Sequence, residues 1–137
     1  DYLDTTRELF KKELELSDEE IVRIPGLFER INNCSYKDDA VAALIPGMLN
    51  LTVVNFKDET PHIFVSDPFM RGDGDSQDED PFIQAFRAKL PAAFDIHFVD
   101  DWYTYHVAIG EVHCGTNVER TPVADWWTDA MHLIEEP

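Results

Sequence analysis

At 137 residues, 44% of them hydrophobic and 28% charged, the chain is long enough for one compact domain with its own core, and its composition excludes a disordered protein. Its 28 Asp and Glu against 11 Lys and Arg give a net charge of −17, which argues against a nucleic-acid partner and suits solubility or the steering of cationic substrates. No apolar run approaches the roughly 20 residues of a membrane span, so no membrane partner is expected.

Thr5-Thr6-Arg7-Glu8 reads as a capping box. Behind it Leu3, Phe10 and Leu14 recur at helical spacing, and Glu8 pairs with Lys12, so the pattern predicts a helix from Thr5 to Leu16. Ile21 to Ile24 predicts a short strand stopped by Pro25-Gly26, and Asn32 to Asp39 a loop. Leu49 to Phe56 alternates as a strand, with Leu49, Leu51 and Val53 on one face and Thr52 and Val54 on the other; His62 to Ser66 is the next. The polar stretch from Met70 to Glu79 predicts a mobile, exposed loop. Asp80 then caps a helix with Pro81 at its first position, Phe82, Phe86 and Leu90 on its buried stripe, and Pro91 at its end. Asp95 to Val99 is a strand with Ile96 and Phe98 inward, Trp102 to Ile109 a helical turn, and Glu111 to Arg120 a last strand; Trp126-Trp127 lies near the end. The order is that of an α/β unit of the ββαβ type.

Several features carry no chemistry on their pattern. Asp73 to Asp80 is reminiscent of a calcium loop, but Asp78 stands where an EF-hand needs Gly and Gln84 where it needs Glu, so no specific ion is expected there. His97 reads as structural, Cys34 as an incidental loop thiol. Asn33-Cys34-Ser35 and Asn50-Leu51-Thr52 match the glycosylation sequon, the second inside a strand pattern. The two cysteines form no disulfide framework and no zinc signature. The chain begins at Asp1 and not at Met, the start expected of a processed or partial chain.

Gly110-Glu111-Val112-His113-Cys114-Gly115-Thr116-Asn117 is different. A Cys beside a Gly, on a strand after a tight turn, lets a substrate approach the sulfur closely. On a strand His113 would face away from Cys114, so a working His would come from elsewhere. Taken alone, the pattern favours the other reading, since most lone Cys are small buried hydrophobes and not nucleophiles.

This segment, with Tyr103-Thr104-Tyr105-His106 before it, resembles the C-terminal signature of the protein-arginine deiminases. Arg7-Glu8-Leu9, Ile24-Pro25, Leu27-Phe28, Pro46-Gly47-Met48-Leu49-Asn50 and Trp126-Trp127 are similar to that family in the same order, so the resemblance runs through nearly the whole chain. It implies part of a five-bladed α/β propeller (pentein) built from ββαβ units, about two of them here, with residues 1–137 forming the C-terminal part of a catalytic domain. It implies Cys114 as the nucleophile that turns peptidyl arginine into citrulline through a covalent thiouronium, aided by two carboxylates and a His from earlier in the protein than this chain begins. The partners implied are the rest of the catalytic domain and an arginine-containing substrate, with a homodimer of the complete enzyme. Calcium is the cofactor implied, with no ligand assignable here. The compartment implied is the cytoplasm; the acidic composition and the sequons leave secretion open. Ala108 stands where the family often has an Arg, six residues before the nucleophile, which leaves open a deiminase acting on free or small arginine derivatives. A non-catalytic remnant or binding module, and a Cys–His hydrolase, are the competing readings.

Overall fold

The computed structural model describes residues 2–31, 40–57, 60–121, 125, 127–128 and 131. Helix α1 spans Tyr2–Glu13, strands β1 and β2 Phe28–Arg30 and Val41–Ala43, strands β3 and β4 Thr52–Val54 and His62–Ser66, helix α2 Pro81–Arg87, and strand β5 Asp95–Val99. Short 3-10 turns lie at Asp18–Glu20, Gln77–Glu79, His106–Ala108 and Val112–Gly115.

The α1 helix begins and ends upstream of the predicted Thr5 to Leu16. Thr5, the capping residue of the predicted box, lies inside the helix and not at its start, and the Thr6 hydroxyl donates back one turn to the Tyr2 carbonyl at 2.9 Å. Glu15, with φ 55°, closes the helix in the left-handed region while the Leu16 N–H reaches back to the Lys11 carbonyl at 3.0 Å, a Schellman closure. The Glu8–Lys12 pair does not form: Glu8 faces Lys11 and Arg7, and Lys12 pairs with Glu13. No α1 residue is buried.

Ile21 to Ile24 is not a strand. Its β-branched run finds no ladder partner, and Ile24 packs on the core instead. The strand lies beyond Pro25-Gly26, where β1 pairs antiparallel with β2 in the register Phe28↔Ala43 and Arg30↔Val41. The loop expected over Asn32 to Asp39, with Cys34 and the first sequon, lies outside the described residues.

The second sheet has the order β3-β4-β5. β3 and β4 pair antiparallel, Thr52 opposite Phe64; β4 and β5 pair parallel, His62 opposite Asp95 and Ser66 opposite Val99, with α2 in the crossover. That is one ββαβ unit, as the strand and helix signals predict. About two units were expected; among the described residues one is complete, the β1–β2 pair stands beside it, and nothing closes into a propeller. β3 is shorter than Leu49 to Phe56 because Asn50 turns back to the Gly47 carbonyl at 3.3 Å, which leaves Leu49 exposed and sends Met48 into the core.

Ile63 and Val65 of β4 and Ile96 and Phe98 of β5 point to one face, where Met48 and Phe86 of α2 complete the core; Phe86 meets Phe98 edge-on with centroids 5.8 Å apart. The opposite face carries Thr52, His62, Phe64, Asp95 and His97 by the same alternation. α2 starts as the sequence predicts: buried Asp80 accepts from the Phe82 and Ile83 amides at 2.9 and 3.2 Å.

Met70 to Glu79 is not a loose loop. Arg71 donates to both Asp67 oxygens at 2.6 and 3.0 Å, and Gln77 Nε2 to Asp67 at 2.8 Å. Burial opposes ionisation of Asp67, but the Arg71, Phe69 and Gln77 donors outweigh it and hold the carboxyl below its usual range. Three of the loop's four carboxylates are engaged: Asp75 takes the Gly72 amide, Asp78 pairs with Arg87, and Glu79 takes the Ser76 amide and hydroxyl.

The last predicted strand, Glu111 to Arg120, does not form. Cys114 N–H turns back to the Glu111 carbonyl at 2.9 Å and Thr116 N–H to the His113 carbonyl at 3.1 Å, so these donors are spent within the segment and not on a neighbouring strand. Trp127 is half-exposed; Trp126 lies outside the described residues.

Candidate active site

Cys114 lies exposed on the turn Val112–Gly115. Upstream, Ile109 closes the preceding turn at φ 65° and ψ 33°, a costly left-handed conformation for a β-branched residue. Gly115 lies close under the Tyr105 ring, so a Cβ there would have to displace that side chain. His113 is exposed on the same turn. With no strand there, strand alternation cannot assign it a face opposite to Cys114. Among the described residues no histidine ring is hydrogen-bonded to Cys114.

Asn50, just before β3, ties the turn down. Its carbonyl accepts from His113 N–H at 3.2 Å, and its side-chain Oδ1 accepts from Cys114 N–H at 3.3 Å. The same Oδ1 lies 3.6 Å from Cys114 Sγ, within reach of the weak thiol donor. A second tie joins the hydroxyls of Thr52 and Thr116 at 3.3 Å. The turn therefore sits on the sheet face opposite α2.

Under the turn lies a buried polar group. Ser66, at the end of β4, donates its hydroxyl to Asp101 Oδ2 at 2.7 Å, with Glu111 Oε2 at 3.3 Å from the same oxygen. One proton serves one acceptor, and the shorter bond takes it. Glu111 has a second partner, His106 Nδ1 at 3.0 Å, and Val112 N–H reaches Ser66 Oγ at 3.5 Å. Burial pushes the Asp101 carboxyl up; the Ser66 bond opposes this and the charge of Glu111 adds to it. No group reaches Asp101 Oδ1 among the described residues. An apolar hollow of about 370 Å³, lined by Ile24, Leu27, Met48 and Leu49 with His106 and Glu111 at its polar end, does not include Cys114.

The turn that carries Cys114 belongs to a longer match: the family model for protein-arginine deiminase covers residues 1–128. The chain belongs to the protein-arginine deiminase family. It is 34% identical over 128 residues to rat protein-arginine deiminase type-4, 36% over 127 residues to the mouse type-4 protein, and 36% over 134 residues to rat type-3. Each match covers 91% of this chain but only 17–18% of the relative, so the chain spans less than a fifth of the length of these deiminases.

For this deiminase-family chain, sequence reasoning reached Cys114 but not what seats it. Asn50 was visible as the end of Pro46-Gly47-Met48-Leu49-Asn50 and the head of a sequon, His106 as the end of Tyr103-Thr104-Tyr105-His106, and Glu111 as part of the Cys segment, none of them as a group that seats the turn. Ser66 and Asp101 gave no pattern of their own, because the bonds that join them to each other and to Glu111 cross 35 to 45 residues of chain.

Proposed function

We propose that this chain is the nucleophile-bearing, C-terminal part of an enzyme that hydrolyses peptidyl arginine to peptidyl citrulline and ammonia. Family membership supports the reaction class. The observation that carries the reading is the seat of Cys114: exposed to an incoming substrate, on a turn held by Asn50, above buried Ser66, Asp101 and Glu111.

The Cys114 thiolate attacks the guanidinium carbon, and the C–N bond to an amino group breaks. That nitrogen leaves as ammonia with a proton from a general acid, and a thiouronium remains on Sγ. Water adds to the same carbon, the C–S bond breaks, and citrulline leaves as the thiolate is restored. Two carboxylates are needed to hold the planar guanidinium through paired, charge-assisted bonds, and a His to carry the proton. The rest of the protein supplies them, whether as the preceding stretch of one polypeptide or as a second chain, and completes the propeller of ββαβ units around the site. Asp101 and Glu111 are not the carboxylate pair: both are buried under the turn and bonded to Ser66 and His106.

Ala108 cannot reach a substrate backbone as an Arg at that position would, so the peptide main chain is held by other groups. The calcium that the resemblance implies finds no converging set of carboxylate oxygens among the described residues, and in Met70 to Glu79 the carboxylates of Asp75, Asp78 and Glu79 are bound to donors of the chain itself. No step runs through calcium here.

The decisive experiment uses the enzyme with its complement. Cys114→Ser should abolish citrulline formation with the fold unchanged by circular dichroism, Cys34→Ser should leave the rate within about twofold, and a haloacetamidine analogue of arginine should add to Cys114 alone. Wild-type turnover by Cys114→Ser, or label on Cys34, would sink the assignment.

A further inference from the structure

On the sheet face opposite α2, three side chains from two adjacent strands converge. His62 of β4 and Asp95 of β5 are register partners, and His97 lies two residues beyond Asp95 on the same face. His62 Nδ1 is 3.0 Å from His97 Nε2 and 3.3 Å from Asp95 Oδ2, and His97 Nε2 is 3.4 Å from that same oxygen. The two rings lie within 9° of parallel with centroids 5.3 Å apart, so the two nitrogens face each other; Phe56 meets His62 edge-on and Phe64 stacks on His97 at 4.7 Å.

Hydrogen bonding alone does not satisfy this triangle. A neutral imidazole has one N–H and one lone pair. A proton on either facing nitrogen makes the His–His bond and leaves the Asp95 oxygen, 3.3 and 3.4 Å from the two nitrogens, without a proton from either ring. A cation on the Asp95 side of the pair would take that oxygen and, with both rings turned toward it, both nitrogens. In a tetrahedral site with bonds of about 2.0–2.1 Å the donor atoms stand about 3.3–3.4 Å apart, close to the spacing found here. Two imidazoles with one carboxylate suit zinc-like transition ions, whereas calcium takes six to eight oxygens. Side-chain exposures of 27%, 53% and 39% for His62, Asp95 and His97 leave a fourth position to solvent.

We propose that His62, Asp95 and His97 form a binding site for a divalent transition metal of the zinc class, with three protein ligands and water as the fourth. No step of the arginine chemistry uses it. Bound metal would staple β4 to β5 on the sheet face that also carries the Cys114 turn.

The test is zinc titration of the purified protein, in the assembly in which it is isolated, against a chromophoric chelator. A Cys34→Ser/Cys114→Ser background removes thiol ligands. One equivalent should bind, and millimolar calcium should not displace it. His62→Ala, Asp95→Ala and His97→Ala should each weaken binding by more than about 100-fold, the upper end of what loss of a mere outer-shell partner costs. Cobalt in place of zinc should give tetrahedral visible bands without thiolate charge-transfer. Should a variant fail to fold, imidazole NMR of the unsubstituted ligand set decides: at one equivalent only the His62 and His97 resonances should move. No uptake at low micromolar zinc, binding that survives loss of both histidines, displacement by calcium, or movement of other histidines would overturn the site.

Discussion

Asn50 shows how much a single amide can set. It accepts from two consecutive backbone amides and lies against the sulfur, so it fixes both the path of the turn and the direction of Sγ. Asn50→Ala should lower kcat for citrulline formation by roughly five- to tenfold, the worth of about 1 kcal/mol of hydrogen bonding, with a smaller effect on KM. Asp67 gives a pH signature. Its folded-state pKa lies below the unfolded value of about 3.9, so its stabilisation is present above that pH and is lost as pH falls through the lowered folded value. Asp67→Asn should therefore cost about 1–2 kcal/mol near neutrality, since it leaves Arg71 facing a neutral amide with only the longer pairing to Asp80, at 3.5 Å, in place. The gap from wild type should close toward pH 2 in denaturant melts; an unchanged gap there would contradict the pairing.

At the level of elements, legibility follows the range of the interactions. The start of α2 was readable because its cap is local: Asp80 reaches amides two and three residues on, and Pro81 occupies a position that needs no N–H. β4 and β5 were readable because period-two alternation matched a one-sided core. The segment after Gly110 was misread because a strand exists only with a partner, and here the amides turn back on the chain. The convergence of His62 with His97 was invisible for the same reason: Asp95 and His97 share a face by spacing, but the third member comes from the register between strands. Ile109 is a local rule broken beside the candidate nucleophile. Ile109→Gly should relieve left-handed strain of about 1–2 kcal/mol, less the backbone entropy glycine adds, for a net gain of about 0.5–1 kcal/mol in chemical denaturation. A loss of stability would show that the Ile109 side chain contributes more than its exposed position suggests.

Over the whole molecule, the apolar groups outnumber the places that bury them. Tyr2, Leu3, Leu9, Phe10 and Leu14 of the α1 region are all more than half exposed, as are Phe28 of β1 and Leu49. Exposed apolar surface on this scale marks an interaction face. The chain alone should self-associate or bind a hydrophobic dye strongly, and addition of the preceding part of the catalytic domain should suppress both. Light scattering that finds the isolated chain as a stable 15.8 kDa monomer without dye binding would remove the reason for an obligatory complement.

The place of Asn50 also bears on how the protein can be produced. Asn50 heads the sequence Asn50-Leu51-Thr52, which the glycosylation machinery of the secretory pathway accepts. The amide it would modify is the one whose oxygen faces Cys114. A sugar chain there would stand beside the thiol, where the proposed reaction needs a substrate to approach. Production in a cytosolic host, where that machinery is absent, keeps this amide bare and the sulfur within a substrate's reach.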